Sequence, residues 1–168
     1  MSENRVSRRA ALRTGMLLAV VSALDACAAA GPRSIAYGHD ECAFCRMTVS
    51  EPRFAAAMVS TKGRTLVFDS AECLASYHAR HQRDARSLWV SDYLHPGSLV
   101  SAERARFNRA SGQSSPMGKG LMAFSSARDA MANRAAGNTQ SFGWSDVLAL
   151  VQREGLARGT GASVDARL

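Results

Sequence analysis

The tetrapeptide Phe68-Asp69-Ser70-Ala71 is echoed 56 residues later by Phe124-Ser125-Ser126-Ala127, and a spaced echo constrains a fold more than any single residue does. Each copy closes an apolar strand candidate, Thr65 to Phe68 and Gly120 to Phe124, and each is followed by a helix candidate, which Asp69 and Ser70 can cap in the first copy. In the first copy, Arg53 to Ser60 reads as a strand bearing Phe54, Ala56 and Met58. Lys62-Gly63-Arg64 reads as the turn, and Thr65 to Phe68 as the returning strand of a hairpin. Behind Asp69 and Ser70, the residues Ala71, Leu74, Ala75 and His78 fall at helical spacing, and the basic stretch His78 to Arg83 suits a helix C-terminus. Leu88 to Tyr93 reads as a further strand.

The second copy places a strand near Ala105 to Ala110, a turn-rich segment over Ser111 to Lys119, the strand ending at Phe124, and a helix from Ala127 to Arg134. Phe142-Gly143-Trp144-Ser145 leads into a last helix, with Val147, Leu148, Leu150 and Val151 on or near its apolar face and Gly155 as its stop. The fold class expected is α+β: a single domain of two repeated ββα(β) units, with antiparallel sheets and helices packed against them.

The first 26 residues stand outside that plan. Ser7-Arg8-Arg9-Ala10-Ala11-Leu12-Arg13 reads as a twin-arginine export signal, and the apolar run from Gly15 to Leu24 is too short to span a bilayer. It ends at Leu24-Asp25-Ala26-Cys27, a lipobox-like sequence with an atypical Asp25, which makes Cys27 the lipidation candidate. The alternative is cleavage after a small residue around Ala26 to Ala28, which leaves a soluble protein. Residues 27–36 are small and polar and suit a tether, the folded domain spans 37–155, and the Gly-, Ala- and Arg-containing tail 156–168 is expected to be disordered. Removing the signal lowers the formal charge from +7 by two, to +5. The arginines that remain are spread along the chain without interleaved aromatics, so no nucleic-acid surface is expected.

Against this frame the stretch Cys42-Ala43-Phe44-Cys45-Arg46-Met47 sets two thiols and a thioether within six residues. Soft sulfur donors at that density favour Cu(I) over hard cations, and over zinc, which seldom takes a thioether. With Cys27 lipidated, Cys42, Cys45 and Cys73 are an odd number of cysteines for an oxidising compartment. Cys73 taken by itself reads as a buried small hydrophobe. Ser115-Pro116-Met117-Gly118-Lys119-Gly120 presents another methionine on a loop shaped by proline and glycine. His39 and Asp40 lie close enough in sequence to add a ligand or a supporting hydrogen bond, although an exposed His39 is the better reading. His78 and His81 would share one face of the first helix, a solvated one.

Asp40-Glu41-Cys42-Ala43-Phe44-Cys45-Arg46-Met47, the Phe68-Asp69 step with a helix behind it, and the Pro116-Met117-Gly118 loop ahead of Ala123-Phe124 together resemble the NosL family. These are periplasmic copper-binding lipoproteins that accompany nitrous oxide reductase. The resemblance covers Tyr37 to Gly155 and implies a carrier rather than an enzyme. It implies one bound Cu(I) delivered, with a membrane ABC-type maturation transporter, to apo nitrous oxide reductase, by a protein anchored to the membrane through Cys27. Carried over by motif, the copper ligands fall on Cys42 and Met117, with Cys45 and Met47 as additional ligands or transfer partners. The chain departs from the family pattern at Arg46, where a glycine is usual.

Such a split site, with sulfurs from two distant loops, would sit in a cleft between the halves. The loop over Cys42 to Met47 is expected to be mobile before copper arrives, since Gly38, Ala43 and the neighbouring charges offer it little apolar anchorage. Two other chemistries fit the thiols. One is a thiol-disulfide oxidoreductase using Cys42 and Cys45. The other is a structural zinc-binding or disulfide-linked interaction module, with a histidine completing Cys42, Cys45 and Cys73 as a zinc set.

Overall fold

The computed structural model describes residues 31–109, 115–133 and 141–155. Among the described residues, six strands and three α-helices are ordered as β1 (Ala56–Ser60), β2 (Thr65–Phe68), α1 (Ala71–His78), β3 (Ala85–Asp92), β4 (His95–Ser101), β5 (Arg106–Arg109), β6 (Leu121–Phe124), α2 (Ala127–Ala132) and α3 (Trp144–Glu154). The first four strands form one antiparallel sheet in the order β2-β1-β3-β4, and β5 pairs with β6 in a second. The expected α+β architecture is present: each unit is a hairpin followed by a helix. The signal segment, Cys27 with the first part of the tether, Arg134 and the tail lie outside the described residues, as does much of the turn-rich segment before Ser115.

The central position of β1 follows from its composition. Ala56, Ala57, Met58 and Val59 are all buried, which suits a strand covered on both faces rather than one alternating between core and water. Phe54 does not extend it, because residues 52–54 turn away after Glu51. The ring instead packs with Met122, Phe124 and Ala130 in a small second core beside Tyr93. Tyr93 also joins the two halves, its amide donating 2.8 Å to the carbonyl of Ala123.

β4 was not anticipated, since His95-Pro96-Gly97 carries the marks of a turn. Proline is tolerated there because β4 is a sheet edge whose outer backbone groups meet no further strand among the described residues. The other edge, β2, is covered: Ala43 donates its amide to the Val67 carbonyl at 2.9 Å, and Arg33 to the Thr65 hydroxyl at 3.2 Å.

The two helices behind the echoed tetrapeptides start alike. Ser70 Oγ accepts from the Cys73 amide at 3.3 Å, and Ser126 Oγ from the Asp129 amide at 3.1 Å. Helix α3 buries Trp144, Val147, Leu150 and Val151, and it packs against α1. The Asp146 carboxylate holds its first turn by accepting from the Gly143 amide at 2.9 Å, and Gly155 ends it at φ 61°. Helix α1 stops at His78, so His81 lies beyond it and does not share a solvated helical face with His78. His78 faces Trp144 at 6.4 Å, whereas His81 stacks on Tyr77 at 4.1 Å.

Candidate metal centre

The residues from Cys42 to Met47 form a tight reversal. The Cys42 amide donates to the Met47 carbonyl at 2.8 Å, the Arg46 amide to the Cys42 carbonyl at 3.0 Å, and Glu41 and Thr48 pair just outside. Closing so short a turn puts one residue in the left-handed region, and that residue is Arg46, at φ 68°. Glycine occupies this region without steric penalty. The departure at Arg46 therefore adds a surface side chain while the turn keeps a path that suits glycine.

The turn is anchored, contrary to expectation. Cys42 is fully buried, Ala43 is bonded to β2, and Ala43, Phe44 and Cys45 pack against the main core. Short-range sequence gives no sign of this, because the anchor is an edge strand some 24 residues away.

The same strand runs into the Ser70 cap, which places Cys73 at the third position of α1 and directs it back toward the turn. The sulfurs of Cys42, Cys45 and Cys73 all lie within 4.8 Å of one another, and all three thiols are free. Cys73 is buried, as its reading as a small hydrophobe requires, but its neighbours are two other thiols. The signal available in the sequence was the cap itself, which fixes Cys73 on the first helical turn.

The three thiols do not share one acidity. Hydrogen bonds from the Cys45 and Cys73 thiols, with further ones from the Cys45 and Asp69 amides, hold Cys42 far below the usual thiol range. Cys45 and Cys73 are pushed up because each serves as donor to that thiolate. Asp69 is pushed up to about 6, first by burial and then by the Cys42 charge. Burial likewise raises Glu72. Negative charge in the cluster is thus favoured on Cys42, with Cys45 and Cys73 placed as donors to it.

Cys42 and Cys73 have no exposed surface, and only Cys45 is half-open to solvent. Three sulfurs around one metal at about 2.3 Å each stand roughly 4 Å apart, so the observed cluster needs little closing to hold a soft ion. Among the described residues no histidine or carboxylate joins it within the same span.

The methionines occupy different places. Met47 is 53% exposed, whereas Met117 is half-buried and packs against the core that contains Cys42 and Cys73. His39 is exposed. Asp40 is committed elsewhere, with both oxygens on the Arg33 guanidinium at 2.7 and 2.8 Å.

A similar fold occurs in the crystal structure of the copper chaperone NosL from Shewanella denitrificans, at a TM-score of 0.55 and 20% identity, covering 66% of this chain and 93% of that one. No curated protein matches the sequence. The NosL family model matches residues 35–148, a span that holds the sulfur turn, the capped helix with Cys73 and the Met117 loop, and the chain belongs to the NosL family.

Proposed function

We propose that this protein is a periplasmic Cu(I) carrier, anchored through Cys27, that holds one copper ion and delivers it for maturation of nitrous oxide reductase. The observation that carries this reading is the cluster of three free sulfurs within 4.8 Å, two buried and one half-open. Buried thiolates keep Cu(I) from water, and an open ligand lets a partner's ligands attack without the site being dismantled. Cys42, Cys45 and Cys73 form the basin, Met117 contributes its thioether from the second unit, and exposed Met47 stands at the rim where a partner arrives. The partners are the ABC-type maturation transporter and apo nitrous oxide reductase, as the family implies.

The rival chemistries receive less support. Exchange with a protein disulfide needs an accessible nucleophile, and the favoured thiolate, Cys42, is fully buried. Structural zinc takes a closed set of four ligands, whereas three cluster among the described residues.

Anaerobic titration of the reduced protein with Cu(I) and Zn(II), against a chromogenic chelator, tests the metal. One Cu(I) per chain, bound far more tightly than zinc and weakened by Cys42→Ser and Cys73→Ser, is expected. Tighter zinc binding, or copper binding indifferent to both substitutions, would overturn it. Mixing the copper form with apo nitrous oxide reductase then tests delivery, through the appearance of reductase activity.

A further inference from the structure

The segment that presents Met117 is pinned at both ends. Ser115, buried at 4% exposure, donates its hydroxyl proton to Glu72 Oε1 at 2.9 Å and accepts from the Gly120 amide at 2.9 Å. The Lys119 ammonium reaches Glu154 Oε2 at 3.0 Å, and its carbonyl accepts from Arg109 Nε at 3.0 Å. Glu72 has no exposed surface and immediately precedes Cys73 on the capped first turn of α1. A fully buried carboxylate is costly unless it is well bonded, and packing alone calls for no acid at this position. Among the described residues, its bond to Ser115 is the one side-chain hydrogen bond between the helix that carries Cys73 and the loop that carries Met117.

We infer that Glu72 and Ser115 are positioning residues, a buried clamp that sets the distance between Met117 and the thiol cluster and so fixes the strength of the thioether's hold on Cu(I). This rests on the reading of Met117 as a copper ligand. The clamp acts across the two repeats, with Glu72 in the first unit and Ser115 in the second. Because Gly118 and Gly120 stand at φ 72° and 67°, the loop between the pins follows a backbone path that favours glycine. Without the Ser115 hydroxyl, Met117 keeps its sulfur but loses its registration on α1.

The test is a double-mutant cycle on Cu(I) affinity in the full reduced chain, with Ser115→Ala, Met117→Ala and the pair, measured by chelator competition. Apo-protein thermal midpoints are recorded alongside. Ser115→Ala is expected to weaken binding about tenfold in the native background, and less than about twofold once Met117 is alanine. Its effect on the thermal midpoint should be the same in both backgrounds. Glu72→Gln, which keeps the acceptor oxygen, should retain affinity that Glu72→Ala loses. Equal weakening in both backgrounds, or none in either, overturns the clamp while leaving Met117 a ligand. If Met117→Ala itself leaves affinity unchanged, the ligand reading fails and the clamp falls with it.

Discussion

Arg46 stands at φ 68° and extends its Nε to within 2.9 Å of the Glu41 carboxylate, across the base of the sulfur turn. Two opposed effects meet in that pair. A left-handed backbone costs a side-chain-bearing residue about 1–2 kcal/mol, whereas an exposed ion pair contributes about 0–1 kcal/mol. Both side chains are more than half exposed, so the pair sits at the weak end of that range. Arg46→Gly is therefore expected to stabilise the metal-free protein by roughly 0.5–1 kcal/mol, read from urea unfolding under reducing conditions. A loss of stability would show that the Glu41 contact outweighs the backbone term.

Much of the framework was legible because it rests on local chemistry. The Ser70 cap, the turn at Gly63 and the Gly155 stop each act within a few residues of themselves. What escaped is non-local. The β4 strand has a proline at its second residue and is allowed only because it ends up at an edge. Cys73 reads as an ordinary core residue until β2 brings the Ala43 amide onto Val67 and the sulfur turn onto the head of α1. The same pairing supplies the anchorage that the turn's own composition lacks. Met47 and Met117, alike as sulfur donors in sequence, are separated by burial, which no spacing rule conveys.

Asp69 offers a pH test. It is 2% exposed, one of its carboxylate oxygens has no partner among the described residues, and its pKa is raised to about 6. A folded pKa above the unfolded value means that the favourable contribution is complete below about pH 4, where both states are protonated. It is lost as pH rises through about 6. Asp69→Asn removes the charge while keeping the shape. The metal-free variant should be more stable than the native protein near pH 8, and the difference should shrink toward pH 4, as followed by denaturant midpoints across that range. A difference independent of pH would place the effect in packing rather than in the buried charge.

The repeated caps supply a matched pair of substitutions. Ser70→Ala and Ser126→Ala each remove one side-chain acceptor from the third amide of a helix, at a cost of about 1 kcal/mol of stability. Only at Ser70 does that amide belong to a residue of the thiol cluster, Cys73. At Ser126 it belongs to Asp129, whose carboxylate accepts from the same serine hydroxyl at 2.7 Å. Loss of the Ser70 cap frees the first turn of α1 to fray, which lets the third sulfur drift. If the freed cap energy is expressed in metal binding, Cu(I) affinity falls roughly fivefold in Ser70→Ala and stays unchanged in Ser126→Ala. Chelator competition on both variants, beside their urea unfolding curves, separates the local effect from general destabilisation. Equal losses of affinity in the two would mean that the first turn of α1 holds no special relation to the metal.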